Sequence, residues 1–479
     1  MKKEIVVNRG LEETRVAVLE NGKLFDLFIE RRESEKILNN IYKGTVGNVV
    51  PALNSAFIDI GFGKSAYLGG GDIVIKGARA GEASNISKYL KPDQEVMVQV
   101  YKEPISTKGP KVTMDISLPG RFLVFMPFSN NVGVSRNIED KQETDRLRSI
   151  VYNAKKDGPG GFIIRTEAED ATEDELLREI SYLRKIWKAV TERFEKSKPL
   201  KLIHKDLGVV FQTVRDYFSE DVMLMHIDSQ KEVNEVVEFL KVVSPEFIDR
   251  IAYYDGQKPI FEAFGIEKEI KALYSNKTKL KSGGYLIIQE AESLCAIDVN
   301  SGKFTARNSQ EDTAVLTNIE AAEEVARQLR LRNIGGIIVI DFIDMKKALN
   351  RQKVLEKLRA VTRGDKAKIK IWPITKLGLI EMTRERKRES LLSLMGQTCP
   401  LCNGLGQVTS GESAFVKVCE TLDKMNIQAH FGTGKINVNP ELLEYFKQRR
   451  PRLKEIFKTD FEIKADESLG RDDYKIVLE

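Results

Sequence analysis

The tightest constraint on this chain is the stretch GGIIVIDFIDM, residues 335–345. Ile337, Ile338, Val339 and Ile340 run unbroken into Asp341, and Asp344 follows three positions later. A short, β-branched run of this kind reads as a buried strand. Helical patterns flank it. Across 311–333, Val315, Ile319, Ala322, Ala326 and Leu329 recur at helical spacing, with Glu323, Arg327 and Arg330 on the opposite face. Asn333-Ile334-Gly335-Gly336 stops that helix, and a second helix is expected over 346–362. Upstream, Gly283-Gly284 opens YLIIQE, and LCAIDVNSG completes a hairpin with it. Strand, helix, strand, helix is an α/β layer.

Two apolar strands of this layer end on carboxylates. Asp298 and Asn300 lie two apart and share a strand face, while Ile297 and Val299 point to the core. If the strands are adjacent, Asp298 and Asp341 converge at one edge of the sheet. Paired carboxylates repel unless something neutralises them. Mg²⁺, or Mn²⁺ in its place, does so with one or two carboxylates plus waters and a substrate phosphate. Asn300 adds an amide that orients a carboxylate or water. Asp344 falls on the opposite face if the strand continues, and stays outside the ligand set. A single strand-end aspartate is more often a cap or turn residue; the pairing favours a metal.

With 479 residues, several domains are expected. The chain has three histidines, His204, His226 and His430, so acid–base chemistry resting on histidine has little to draw on. Carboxylates and a metal are the better candidates. No run approaches the ~20 apolar residues of a membrane helix, MKKEIVVNRG has no signal-peptide core, and four cysteines make no disulfide framework. A cytoplasmic setting without an integral membrane segment is the expectation. The net charge of +5 is too mild to prove a polyanion partner. The clusters RERKR at 384–388 and KQRRPRLK at 447–454 are as consistent with solvated faces as with RNA.

Residues 1–34 hold two strands and an Asn21-Gly22 turn, too little to fold without a later segment. From 36 to 120 short strands and glycine turns read as a five-stranded barrel. Alternation in SAFIDIG puts Ala56, Ile58 and Ile60 on one face and Phe57 and Asp59 on the other, with Tyr67 on the next strand. An outward aromatic pair stacks single-stranded bases in OB-folds, or covers the barrel's second face. Lys108, in STKGP, tilts the balance towards RNA. Residues 121–215 contain FLVFMPF, GGFIIRTEAED and a charged helix near 172–196.

TCPLCNGLG carries Cys399 and Cys402 with turn glycines, the spacing of a zinc knuckle. One pair supplies two of the four thiolates a structural zinc wants. Cys295 on a strand and Cys419 on a helix are poorly placed to help, so two chains sharing one Zn²⁺ is the economical solution. A redox C-x-x-C would instead open a helix in a thioredoxin-like pattern.

IDVNSG, TNIEAAEEVARQLRLRNIGGIIVIDFIDM, LGLIEMTRERKR and CPLCNGLG together resemble the ribonuclease E/G family, and the likeness runs over essentially the whole chain. It is closer to the short, G-type branch than to members with a long disordered tail. The resemblance implies a multidomain α/β architecture. An S1 (OB-fold) barrel, 36–120, and a 5′-sensor region, 121–215, are inserted into an RNase H-like subdomain made of 1–35 and 216–280. A DNase I-like catalytic layer, 281–395, a zinc link, 396–412, and a small C-terminal domain, 413–479, follow.

The activity implied is a Mg²⁺-dependent endoribonuclease. It cuts single-stranded RNA, both rRNA precursors and mRNA, to 5′-phosphate and 3′-hydroxyl ends. By position, Asp298 and Asp341 match the metal pair and Asn300 the supporting amide. Phe57, Tyr67 and Lys108 match RNA contacts, with Tyr67 where phenylalanine is usual. Arg165 and Thr166 match a pocket that senses a 5′-monophosphate, although GFIIRTEA alone reads only as a strand end. Lys368 stands where an arginine near that pocket is found, and lysine lacks the bidentate fork. Cys399 and Cys402 match a zinc link between subunits of a dimer or tetramer. A non-catalytic RNA-binding protein, a processive exonuclease and a DNA nuclease are the rival readings.

Overall fold

Asn21 and Gly22, both at positive φ (51° and 75°), close the turn between strands Glu13–Glu20 and Lys23–Arg31. In the computed structural model this hairpin belongs to a five-stranded sheet. Its order is Ile251–Tyr253, Val222–Ile227, Lys3–Arg9, Glu13–Glu20, Lys23–Arg31. Lys3–Arg9 pairs in parallel with Val222–Ile227, so the first strands are completed by chain more than 200 positions away. The structure describes residues 2–32, 36–74, 86–104, 109–156, 158–302, 309–386, 388–425 and 433–478.

Between the two halves of that sheet lies a closed barrel. Its strands are Ile41–Val50, Ser55–Asp59, Ala66–Gly69, Lys111–Thr113 and Glu95–Lys102, the last pairing back on the first. Closure removes exposed edges. Ala56, Ile58 and Ile60 fill the interior. A four-stranded sheet follows, built on Leu123–Met126 and Gly161–Ile164 and packed by helices Lys141–Lys155 and Glu173–Lys196. Thr172 and Glu175 form a reciprocal capping box at the second helix.

The six-stranded sheet that carries the candidate centre has a single parallel step, Leu294–Asn300 beside Gly336–Asp341. Helix Gln310–Leu331 makes the crossover that a parallel pair requires. Leu286, Ile297, Ile338, Ile340 and Met382 pack under the sheet against Ala321, Val325 and Leu329 of that helix.

The face of this helix opposite its apolar stripe is largely not solvated. Arg330 pairs with Glu20 and Asp26, and Arg327 reaches Glu269 at 3.0 Å and the Leu24 carbonyl at 2.7 Å. Their side chains are only 15% and 14% exposed. Spacing alone marks them as polar; acidic partners far along the chain are what let them be buried.

Residues 1–392 form one compact unit and 393–479 another. In the second, strands Asp460–Ala465, Thr433–Val438 and Tyr474–Leu478 form a sheet, with helices Gly411–Lys424 and Leu443–Phe457 packed through Phe415, Phe446 and Phe461. Among the described residues no helix is long and apolar enough to cross a membrane.

Candidate active site

Parallel register places Asp298 directly beside Asp341, each the outward residue near its strand's end. Cys295, Ile297, Val299, Ile338 and Ile340 alternate inwards and are at most 5% exposed, which turns both aspartates to the open face. Asn300 shares that face and donates from Nδ2 to Asp298 Oδ2 at 2.7 Å. One Asp298 oxygen is thereby held while the other remains available.

The strand ends at Asp341, so alternation does not govern Asp344. Burial raises the Asp341 carboxyl above its ordinary value, and the charges of Asp298 and Asp344 add to the rise. None of the three carboxylates is ion-paired among the described residues. Asn318, wholly buried on the crossover helix, holds the backbone between Asp341 and Asp344: its Nδ2 donates to Ile343 O (2.8 Å) and its Oδ1 accepts from Ile343 N (3.0 Å). Glu311 holds the next turn by accepting from the N–H groups of Lys346 and Lys347. Neither residue stood out in the sequence. A polar Asn on a helix's apolar face was the available signal for the first.

This donor set fits a hard divalent ion. All its groups are oxygens or an amide, its negative charge has no ion-pair partner among the described residues, and the carboxylates are solvent-exposed. No group of three or more His, Cys, Asp or Glu lies at ligand spacing among the described residues. An ion here would complete its shell with water and phosphate, as Mg²⁺ does.

On the barrel, Phe57 pairs directly with Tyr67 across neighbouring strands, ring centroids 6.1 Å apart at 77°. Both rings are half-buried, and Lys111 Nζ lies 5.4 Å from the Tyr67 centroid. The platform thus carries a cation that sequence reasoning did not single out. Lys108 lies outside the described residues.

Arg165 caps a sheet strand and is held from three sides. Nη1 donates to Gly120 O at 2.6 Å and to Asp216 at 2.9 Å, and Nε lies 3.3 Å from Glu167. Thr166 Oγ1 bonds Ser135 Oγ at 2.9 Å. Burial would raise the Asp216 carboxyl, but the Arg215 fork, then Arg165 and Lys366, outweigh it and hold Asp216 well below the usual carboxylate range. Lys366 is the lysine drawn into this cluster, 3.4 Å from Glu167 and over the Tyr217 ring at 4.3 Å. Lys368, two positions on, pairs its backbone with Glu385 and exposes its side chain.

In the second unit, Asn403, Gly404 and Gly406 take positive φ (48°, 89° and 72°), turning the chain tightly around Cys399 and Cys402. Hydrogen bonds from the Gly406 and Gly404 backbone lower the Cys402 thiol below its ordinary value. Cys295 is buried, and burial pushes its thiol up to about 12, which makes it a poor ligand.

A family model described as the ribonuclease E/G family matches residues 117–387. Ribonuclease G of Escherichia coli is 39% identical over 437 residues, covering 90% of this chain and 88% of that protein. Ribonuclease G of Haemophilus influenzae is 40% identical over 422 residues, 87% of this chain and 86% of that protein. Ribonuclease E of the same organism is 36% identical over 434 residues, 88% of this chain and 46% of that protein.

Proposed function

Because this chain belongs to the ribonuclease E/G family and is an endoribonuclease, we propose that it hydrolyses single-stranded RNA with Mg²⁺ held by Asp298 and Asp341. The observation that carries this reading is the register pairing of the two aspartates on an open sheet face, with no ion-pair partner among the described residues. When bound, the ion would polarise the phosphate and favour ionisation of a water. Asp298 and Asp341 supply the negative charge that positions it, and Asn300 fixes the Asp298 rotamer. Asn318 and Glu311 keep the Asp341 turn in place. Hydrolysis of the P–O3′ bond leaves a 5′-phosphate and a 3′-hydroxyl. Chelating divalent ions should stop cleavage, and Mg²⁺ or Mn²⁺ should restore it. Undiminished cutting in chelator would refute the assignment.

Phe57 and Tyr67 stack bases of the substrate, while Lys111 and Lys108 neutralise its backbone. Substrates of this class are rRNA precursors and mRNA, a reading that rests on kinship alone. Arg165, Thr166 and Lys368 form a 5′-monophosphate sensor, a reading supported by the contacts of Arg165 and Lys366 to one carboxylate, Glu167, and by the Ser135–Thr166 hydroxyl pair beside them. RNA with a 5′-monophosphate should be cut several-fold faster than the same RNA with a 5′-triphosphate; equal rates would remove the sensor.

Cys399 and Cys402 form half of a Zn²⁺ site, completed by the same pair on a second chain. The lowered Cys402 thiol and the tight turn around it support this. Cys399→Ser should halve the mass seen by light scattering and release the zinc. An unchanged mass with zinc retained would refute the link. The subdomain division follows the same kinship: RNase H-like 1–35 with 216–280, and DNase I-like 281–395.

A further inference from the structure

Glu167 lies between the two cations that face the proposed sensor. One carboxylate oxygen is 3.3 Å from Arg165 Nε, and the other is 3.4 Å from Lys366 Nζ. The Arg165, Glu167 and Lys366 side chains are 20%, 31% and 35% exposed, so the bridge stands at the surface rather than in the core. Asp216, by contrast, holds Arg165 from behind through Nη1 and is itself gripped by the Arg215 fork at 2.9 and 3.1 Å. The two acidic partners of Arg165 therefore differ in kind. Asp216 is locked into the scaffold. Glu167 follows directly after Arg165 and Thr166 in a single turn, Thr166–Ala168, and a side-chain rotation is enough to move it away.

We propose that Glu167 is a resident stand-in for the RNA 5′-phosphate, bridging Arg165 and Lys366 until a monophosphate displaces it, and that Lys366 is a further cation of the sensor beside Arg165 and Lys368. This rests on the sensor reading above and deepens it. A terminal monophosphate carries about −1.5 to −2 charge at neutral pH, with three acceptor oxygens, against the single charge of a carboxylate. It can take over both contacts and still accept from a hydroxyl such as Thr166. A 5′-hydroxyl has no charge with which to evict Glu167. The need to displace a resident anion thus weakens binding of a 5′-monophosphate, whereas a 5′-hydroxyl leaves Glu167 in place and is little affected. Burial lowers the Lys366 ammonium from its ordinary value, and Glu167 and Asp216 oppose that, so an anion beside it favours the charged form. Glu167 is that anion in the free enzyme and the phosphate takes its place in the complex.

The test uses full-length protein and one A/U-rich RNA carrying either a 5′-monophosphate or a 5′-hydroxyl, with kcat and KM measured separately. Glu167→Gln removes the competing charge and should lower KM for the monophosphorylated RNA by about 3- to 5-fold, the scale of a part-exposed ion pair. The 5′-hydroxyl RNA should gain little, so the kcat/KM ratio between the two substrates rises. Glu167→Asp, too short to reach both cations, should fall between. Lys366→Gln should lower the ratio, and Lys366→Arg should restore it. A ratio unchanged or lowered in Glu167→Gln, while Arg165→Gln abolishes it, would overturn the stand-in and leave the sensor intact. A preference that survives Arg165→Gln would remove the sensor, and this inference with it.

Discussion

Replacing Asp341 with asparagine is expected to slow RNA cleavage by about 10³-fold or more while leaving RNA binding in place. The size follows from losing several kcal/mol of metal-borne stabilisation, each factor of ten being about 1.4 kcal/mol. Asparagine keeps the shape of the side chain and its place in the register opposite Asp298. Because Asp341 suffers from burial and from repulsion by Asp298 and Asp344, the variant should be no less stable than wild type without metal, and its thermal midpoint should stay level or rise. Mg²⁺ should then raise the midpoint of wild type and not of the variant. A cleavage loss accompanied by a large fall in the metal-free midpoint would mean instead that Asp341 is structural.

Glu179→Ala should be the most destabilising single change in the proposed sensor region, costing roughly 3 kcal/mol or more. Glu179 is 5% exposed, and its carboxylate accepts from three consecutive backbone N–H groups, those of Arg121, Phe122 and Leu123. Alanine would leave all three buried donors without an acceptor, at about 1–3 kcal/mol each. Glycine at position 120 permits the approach, since a Cβ there would stand 2.6 Å from Glu179 Oε1. The same Gly120 carbonyl holds Arg165, so the 5′-monophosphate preference should fall together with stability.

Burial raises the Glu179 carboxyl to about 7, against the three N–H bonds and Arg165, which favour its ionised form. The unfolded chain releases this proton near pH 4.5 and the folded chain near 7. Between these values the folded state holds a proton that the unfolded state has lost. Stability from this group is therefore full below pH 4.5 and declines as pH rises through 7. The decline amounts to roughly 3 kcal/mol at about 1.4 per unit. Thermal midpoints of wild type and Glu179→Gln compared between pH 5 and pH 8 would show it: the decline should be absent in the variant.

The local elements of the α/β layer that carries Asp298 and Asp341 were legible because their signals are local. An apolar β-branched run, a helical repeat and an Asn-Ile-Gly-Gly stop each act within a few residues, and Asp298 and Asp341 mark the ends of such runs. Adjacency of those strands could only be supposed until the parallel register paired the two residues. The burial of Arg330 was not legible because it depends on Asp26, 304 positions away, and nothing in a helical pattern reports such a partner. Lys366 and Lys368 are indistinguishable in DKAKIK; the contacts to Glu167 and Tyr217 single out the first. Glu167 reads as one more charge in RTEAED, and its bridging position depends on where Lys366 arrives from 199 positions on. Asn318 carries no chemistry of its own, and its role exists only through the turn it holds.

The measurement that bears most directly on the central claim is the identity of the ends made in one round of cleavage. A 3′-labelled, A/U-rich RNA with a 5′-monophosphate is incubated with the enzyme and Mg²⁺, and the new ends are characterised chemically. The account predicts internal cuts that leave a 5′-phosphate and a 3′-hydroxyl, lost on chelation and lost in Asp341→Asn. New 5′-hydroxyl ends opposite cyclic phosphates, formed equally well in chelator, would show that the RNA's own 2′-hydroxyl is the nucleophile and that the paired aspartates hold no catalytic metal.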